Sequence, residues 1–307
     1  MWSYTLRRLL ATIPTLLIVI TVCYILLHAA PGGPFDAEVK VSEAVMANLQ
    51  AKYHLDLPLW QQYLHYLNNL AHGDLGASFR YADWSVNDLV AAALPVSLAI
   101  GGGALLISFV IGVGLGIAAG LRQNSMADHG VMLIGNLGSV FPSFVIGPVL
   151  VLVFALWLHW LPAGGWDDFK PAFMVMPMAL LTFINVATIA RVMRGSLLEV
   201  LNSNFIRTAR AKGLPTRLVV MRHALKPALL PVISVMSPLA ISSITAALVT
   251  ETVFSLPGLG KLIVNGAGNR DYTLVLGLVV LITVIAVTLN LLVDLAYAAL
   301  DPKIRYH

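Results

Sequence analysis

The chain has 307 residues, of which 58% are hydrophobic and 11% are charged, with a net charge of +4 and a mean hydropathy of +0.84. Soluble domains carry roughly 25% charged residues, so this composition cannot cover the surface of a water-soluble globule. It excludes a soluble enzyme, a disordered protein and a nucleic-acid-binding protein with a basic face, and it indicates an integral membrane protein. The helix-length spans described next make the expected fold class all-α.

Six stretches have the roughly 20 mostly apolar residues that a membrane-spanning helix needs. They cover residues 9–30, 95–120, 130–157, 173–193, 229–250 and 274–298. The first has two arginines before its apolar run, as a secretory signal does, but the run from Leu9 to Leu27 exceeds the 7–15 residues of a signal core. We therefore interpret it as a retained helix, and residues 1–307 as a single transmembrane domain.

The loop over residues 31–94 follows the first span and is too long to be a simple connector. Within it, residues 43–70 place apolar side chains at helical spacing, with a break at Pro58. Two interpretations stay open for this amphipathic segment. It packs as a cap on the outer end of the bundle, or it forms a landing surface for a partner.

Three glycines of the second span, Gly112, Gly116 and Gly120, are four residues apart. Small residues at this spacing let helix backbones approach closely. The pattern predicts that this face packs against another helix.

Neutral and acidic polar residues in the spans bear on the transport mechanism. An ion-coupled carrier usually needs ionisable residues deep in the bilayer, whereas Glu251 and Asp294 are placed near the ends of their spans. Asn136, Asn185 and Asn290 are expected to bond neighbouring helices, and Asn136 or Asn185 is a candidate for lining a polar path. No Ser/His or metal-ligand constellation indicates catalysis, and we expect no cofactor and no metal.

A second long loop, residues 194–228, carries a concentration of basic residues. From Arg191 to Lys226 there are eight Lys or Arg residues and one acid, Glu199. Because cytoplasmic loops are enriched in Lys and Arg, this bias predicts that the loop and both termini are cytoplasmic.

The same loop carries helix-boundary signals. Ser196 and Glu199 have the spacing of a capping box, which predicts a helix start. Gly213 suits the left-handed position that ends a helix, Pro215 suits the first turn of a second helix, and Lys226-Pro227 is expected to close the pair. The apolar residues between these signals predict a helix pair that packs on the bundle or on a partner.

A glycine-rich segment, residues 256–261, superficially suggests a phosphate-binding loop. That motif needs a Gly five residues before its second Gly and a Ser or Thr after its Lys, and here Ser255 and Leu262 occupy those positions. We therefore expect ATP to be bound by a separate polypeptide.

The basic loop resembles the cytoplasmic signature of bacterial ABC-importer permeases. The family pattern is Glu-Ala-Ala, three residues, then Gly; here Arg207, Thr208 and Ala209 occupy the first three positions and Gly213 is in place. The missing Glu is typical of the peptide-permease branch. The loop itself is similar to that branch over residues 204–215 and 222–227. Further similar segments occur in the right order at residues 7–34, 53–59, 73–76, 251–260, 269–272 and 301–305.

The resemblance implies the fold of a type I ABC-importer permease with six transmembrane helices, in a bacterial inner membrane. It implies a non-catalytic subunit that forms half of a path for oligopeptides, with a second homologous permease subunit, two ATP-binding subunits and a periplasmic peptide-binding protein as partners. The coupling residues would be Arg207, Thr208, Ala209, Arg210, Lys212, Gly213 and Pro215. Sister importers for dipeptides, nickel complexes or glutathione share these motifs, and an ion-coupled secondary carrier is the alternative from another class.

Overall fold

A computed structural model of the chain describes residues 2–29, 56–81 and 83–300, and all regular secondary structure within them is helical. Residues 43–55 of the amphipathic segment, residues 30–34 and the motif at 301–305 lie outside this part. The helices are α1 (Trp2–Ala29), α2 (Leu59–Ala71), α3 (Val86–Ser97), α4 (Gly103–Leu121), α5 (Met126–Val140), α6 (Ser143–Leu150), α7 (Pro171–Leu201), α8 (Asn204–Ala211), α9 (Thr216–Val219), α10 (Leu225–Val253), α11 (Leu259–Gly268) and α12 (Tyr272–Leu300).

Three π-helical stretches adjoin these helices. Leu98–Gly102 joins α3 to α4, Val151–Trp157 extends α6, and Val220–Ala224 joins α9 to α10. Single π turns occur inside longer helices without ending them. The two joined pairs therefore form the uninterrupted helical segments Val86–Leu121 and Thr216–Val253.

Five of the described helical segments are long and apolar enough to cross a membrane. They are Thr12–Ala29, Val86–Leu121, Pro171–Leu201, Thr216–Val253 and Tyr272–Ala296. One further helix pair, Met126–Gly138 and Ser143–Trp157, passes the same test only when its two halves are taken together, and the halves meet at 101°. The expected fold class, a six-span all-α membrane bundle, agrees with these segments when the broken pair is counted as one span.

The break corrects the prediction of one uninterrupted span over residues 130–157. Phe141 is extended, with ψ 122° at the end of α5, and Pro142 precedes α6. A proline disfavours helical backbone in the residue before it and cannot donate a backbone hydrogen bond. The chain therefore turns sharply at this point.

The second span begins earlier than the sequence suggested, at Val86. Ser85 and Asp88 form a reciprocal capping box, in which Ser85 Oγ accepts from the Asp88 N–H and the Asp88 carboxylate accepts from the Ser85 N–H. This pairing satisfies two backbone N–H groups at the start of α3. The helix is thus fixed about nine residues before residue 95.

The glycine face of α4 packs on α7, as predicted. A Cβ added to Gly112 would lie 2.7 Å from Ile189 Cγ2, and one added to Gly116 would lie 2.6 Å from Met193 Cβ. At Gly120 the nearest atom belongs to Leu197, at 3.1 Å. The absence of side chains on this face lets the two helices approach closely, with α7 at the centre of the bundle.

The two ends of α7 define two regions of the molecule. The basic end comprises residues 122–128 and 194–226, and the opposite end comprises residues 72–81, 83–86, 158–170 and 254–271. At 31 residues, α7 is about 46 Å long. Since the hydrocarbon core is about 30 Å thick, α7 extends beyond it.

Candidate coupling surface at the basic end

The last two turns of α7 replace the predicted start of a separate helix. Ser196 lies inside α7 and is buried, so the capping-box interpretation of Ser196 and Glu199 is wrong. Ile189, Met193 and Leu197 recur every four residues and are fully buried. This apolar stripe keeps α7 helical through residue 201.

Helix α8 has one buried face and one exposed face. Ile206 and Ala209 are buried and belong to the same core cluster as Met193 and Leu197 of α7. Arg207 and Arg210 are exposed, one turn apart. The helix is therefore held in the bundle by its apolar face while it presents two guanidinium groups.

The remaining predicted coupling residues take different positions. Thr208 is exposed and donates from Oγ1 to the Asn204 carbonyl at 3.1 Å, and Lys212 is exposed after the last turn of α8. Ala209, by contrast, is 6% exposed. It packs inside the bundle and presents no surface for a partner.

The turn after α8 is built as predicted at Gly213. Its φ is +76°, in the left-handed region, and its N–H donates to the Arg210 carbonyl at 2.9 Å. A Cβ at this position would meet no atom within 4 Å, so the need for glycine is purely one of backbone conformation. Pro215 directly precedes α9, one residue before the predicted first turn.

The chain does not end a helix at Lys226-Pro227, contrary to the prediction. It continues from α9 through the π-helical stretch into α10, with Pro227 in the first turn of α10. The second predicted helix is thus the start of the fifth span.

A buried ion pair ties α5 to α7 at this end. Arg194 donates to both carboxylate oxygens of Asp128, from Nε at 2.5 Å and from Nη2 at 2.7 Å, and Asp128 is 1% exposed. The Asn124 N–H also donates to this carboxylate, at 2.9 Å. Sequence reasoning missed the pair and counted Arg194 only as a loop charge. The Ser125-x-x-Asp128 spacing signals the start of α5 but not the pairing of Asp128 with Arg194, 66 residues away.

The exposed charge of the basic end is almost entirely positive. Glu199 is an exposed acid in this region, and seven basic side chains are exposed at the same end: Arg122, Arg207, Arg210, Lys212, Arg217, Arg222 and Lys226. Such a patch attracts an acidic partner surface over distances of about a Debye length. Its rigid attachment to the bundle makes it a candidate coupling surface.

The asparagines of the spans mainly bond neighbouring helices. Asn185 is 3% exposed and its Nδ2 donates to Ser243 Oγ at 2.9 Å, which links α7 to α10. Asn290 Oδ1 accepts from Ser237 Oγ at 2.5 Å, which links α12 to α10.

Asn136 is exposed, and its Oδ1 accepts from Arg191 Nη2 at 3.3 Å. Of the two candidates for a path, Asn136 alone presents its side chain at the surface of this chain.

At the opposite end, two acids are buried and fully hydrogen-bonded. Glu251 is 0% exposed and accepts from Ser97 Oγ at 2.6 Å and from the Lys261 N–H at 3.1 Å. Asp271 is 1% exposed and accepts from Ser78 Oγ at 2.5 Å and from the Leu274 N–H at 3.1 Å. Sequence reasoning located Glu251 near an end of its span and did not identify either network.

The described part of the amphipathic segment, α2, packs on α1. Tyr63 Oη and Thr21 Oγ1 are 2.6 Å apart, and Tyr24 Oη donates to the Leu59 carbonyl at 3.3 Å. The Tyr66 hydroxyl of α2 is also buried, and this burial raises its pKa. The cap interpretation is therefore confirmed for α2, while Trp60 is 62% exposed and leaves a surface that a partner can contact.

Comparisons with known proteins agree over the whole chain. Residues 112–306 match the family described as binding-protein-dependent transport system inner membrane component, and residues 1–100 match its N-terminal companion family. The oligopeptide transport system permease protein OppB of Escherichia coli K12 is 52% identical over 306 residues, covering 100% of both chains. OppB of Salmonella typhimurium is 53% identical over the same length.

More distant relatives share the fold. The dipeptide transport system permease protein DppB of Bacillus subtilis is 40% identical and covers 100% of this chain and 99% of its own. Among solved structures, an inward-facing MetNI methionine ABC transporter superposes with a TM-score of 0.60 at 18% identity, covering 69% of this chain and 96% of the other. At that identity the likeness shows the fold alone.

Proposed function

The chain belongs to the family of binding-protein-dependent transport system inner membrane components, and we propose that it is the oligopeptide-conducting permease subunit of an ATP-driven importer. The observation that carries the proposal is full-length identity of 52% to an oligopeptide permease, joined to an exposed basic helix rigidly packed on the bundle. The chain is a non-catalytic, multi-pass membrane component, and a separate subunit hydrolyses ATP.

The assembly follows from this assignment. We propose that a second homologous permease completes the path, that two ATP-binding subunits dock at the basic end, and that a periplasmic peptide-binding protein delivers substrate at the opposite end. The positive loop bias supports this orientation, with the basic end and both termini in the cytoplasm of a bacterial inner membrane.

Coupling would pass through the core cluster beneath α8. Ile206 and Ala209 of α8 pack with Met193 and Leu197 of α7 and with Val232 of α10. Close-packed interiors transmit displacement because they are nearly incompressible. Movement of α8 by an ATPase subunit would therefore move α7 and α10 as rigid bodies and switch the access of the path.

The proposed coupling residues are the exposed ones: Arg207, Thr208, Arg210, Lys212, Gly213 and Pro215. Ala209 supports them from within the bundle. Asn136 is the proposed path-lining residue, because Asn185 is enclosed between α7 and α10.

The proposal is tested by reconstituting the purified complex in vesicles with its binding protein and measuring uptake of a labelled tetrapeptide. We expect uptake with ATP and no uptake with a pH gradient alone. Uptake driven by the pH gradient without ATP would establish a secondary carrier instead. Since DppB is also similar to this chain, a labelled dipeptide should be run in parallel, and exclusive dipeptide uptake would reassign the substrate.

A further inference from the structure

A groove of about 540 Å³ lies at the opposite end of the bundle, between α3, the loop before α7, and α11. Aromatic rings of Tyr81, Trp84, Trp166 and Phe169 line it, together with Asp168 and Lys261. Pockets that hold small ligands commonly measure about 300–1,000 Å³ and combine apolar walls with a few polar groups. The size and lining of this groove fit that description.

The wall at Tyr81 and Trp84 is fixed by backbone hydrogen bonds. The Trp84 N–H donates to the Tyr81 carbonyl at 3.2 Å, and the Trp84 carbonyl accepts from the Ser78 N–H at 3.3 Å. Asp83, between the two aromatic residues, has a φ of +66°. Non-glycine residues rarely adopt this conformation, and such residues are frequent at functional sites.

The wall before α7 is also constrained. Trp166 and Phe169 contact edge to face, with ring centroids 4.9 Å apart. Asp168 and Phe169 both have positive φ, at 36° and 59°. Lys170 bonds Asp167 through Nζ, at 2.5 Å, so the cation of this loop is already paired and Asp168 is the acid left to face the groove.

The third wall of the groove is the start of α11, which is held in place by hydrogen bonds from its backbone N–H groups to buried side chains. Ser97 Oγ accepts from the Leu259 N–H at 2.8 Å, and Glu251 accepts from the Lys261 N–H at 3.1 Å. A Cβ on Gly258 would lie 2.1 Å from a Glu251 oxygen. The N-terminus of α11 is thus already occupied by a carboxylate, and the positive charge it offers the groove is the Lys261 ammonium.

The two charged groups of the groove are available to a ligand. Asp168 and Lys261 are exposed, and within residues 2–29, 56–81 and 83–300 neither side chain takes part in an ion pair. An acid and a base on the lining of one aromatic groove complement a molecule with a cation at one end, an anion at the other and apolar groups between them. A short peptide with free termini has this arrangement.

We propose that this groove is a binding subsite for a short zwitterionic peptide, with the peptide amino group on Asp168, its carboxylate on Lys261 and its apolar side chains against the aromatic rings. The inference rests on the proposed function, which supplies peptides as the substrate class. Aromatic residues are also common where a membrane meets water, but here they face a concave site with two free charges rather than a convex rim.

The test uses the complete importer complex in lipid nanodiscs without its binding protein and measures equilibrium binding of the tetrapeptide Ala-Leu-Phe-Ala. Four forms are compared: free termini, N-acetylated, C-amidated, and both. Each modification should weaken binding about tenfold, because each removes one charge-assisted hydrogen bond. In Asp168→Asn, acetylation should have no further effect while amidation keeps its tenfold effect, and in Lys261→Gln the reverse should hold.

Lys170→Gln is the matched control, since it removes a charge from the same region outside the groove, and it should leave all four affinities unchanged. Equal binding of the four forms to the unaltered complex would overturn the inference in favour of an apolar or lipid site. Absence of binding, with ATP-driven tetrapeptide uptake intact once the binding protein is restored, would overturn the inference and leave the proposed function standing. Absence of both would overturn the two together.

Discussion

The basic end and the opposite end of the bundle use charge in contrasting ways. At the opposite end, Glu251 and Asp271 are 0% and 1% exposed, and their carboxylates accept hydrogen bonds from residues distant in the sequence. At the basic end, Arg207 and Arg210 point into solvent from a helix whose other face is buried. Asp128, paired with the partly buried Arg194, is the buried counterpart among the described charges of that end.

The contrast separates buried charges that stabilise the fold from exposed charges that are available to a partner. A buried ionised group is tolerated only when it is paired or hydrogen-bonded, and losing its partners is strongly destabilising. An exposed charge contributes little to stability, yet it guides association with a surface of opposite charge. The molecule therefore has buried acids that fix its loops at one end and an exposed basic surface, the proposed docking face, at the other.

The largest effect is expected from Glu251→Leu. The substitution leaves the Ser97 hydroxyl and the Lys261 N–H without their buried acceptor, and each unsatisfied group costs about 1–3 kcal/mol. We expect a loss of about 3 kcal/mol, seen as a lower midpoint of thermal unfolding of the detergent-purified protein. Glu251→Gln keeps one acceptor oxygen and should lose less. An unchanged midpoint in Glu251→Leu would show that the buried carboxylate does not stabilise the fold, and it would contradict the contrast drawn between the two ends.

The next effect concerns the buried pair of the basic end. Asp128→Asn removes the charge that faces the partly buried Arg194 and should destabilise the protein by about 2 kcal/mol. The matched control is Asp167→Asn, which removes an exposed pair with Lys170 and should change the free energy of unfolding by less than about 1 kcal/mol. Thermal unfolding of both variants in one detergent measures the difference. Equal losses of unfolding free energy would show that burial does not determine how much these ion pairs contribute to stability.

A smaller stability effect and a large functional one are expected from Gly213→Val. A β-branched residue at φ +76° is strained by about 1–2 kcal/mol, and the strain should shift α8 relative to the bundle. Peptide uptake per ATP hydrolysed should fall in reconstituted vesicles. Gly213→Asn should retain more coupling because asparagine tolerates the left-handed region. Wild-type coupling in Gly213→Val would contradict a role for this turn.

The smallest change in stability is expected from combining Arg207→Gln with Arg210→Gln. Both side chains are exposed, so the free energy of unfolding should change by no more than about 0.5 kcal/mol. Co-purification of the ATP-binding subunits should nevertheless decrease and become more sensitive to salt. Arg270→Gln, which removes an exposed cation at the opposite end, should leave co-purification unchanged. Equal losses of co-purification in both variants would show that the cations of α8 bind the ATP-binding subunits no better than an exposed cation at the opposite end.

The sequence predicted an all-helical membrane bundle because each span must be apolar along its whole length, and that signal is local. It also predicted Gly213 at a left-handed turn and the glycine face of α4, since backbone conformation and close approach each restrict the residue type. The break at Pro142 and the capping box of Ser85 were readable from the same rules and were missed.

The carboxylate networks were beyond prediction from one sequence. Ser97 and Glu251 are 154 residues apart, and Ser78 and Asp271 are 193 apart, so their pairing depends on the tertiary packing of α3, α10 and α12. The prediction of a helix start at Ser196 was wrong for a related reason. Ser196 and Glu199 have the spacing of a capping box, but burial of Met193 and Leu197 against α4 kept the helix continuous.

The central claim, that the basic end receives the ATP-binding subunits, is tested most directly by site-specific cross-linking in the assembled importer. Cys23 is first replaced by Ala, and Arg210→Cys or Asn265→Cys then places a single thiol in this chain at the basic or the opposite end. A short thiol-to-amine cross-linker should join the Arg210→Cys chain to an ATP-binding subunit and should leave the Asn265→Cys chain unlinked to it. Cross-linking of the ATP-binding subunit at Asn265→Cys and not at Arg210→Cys would contradict the account.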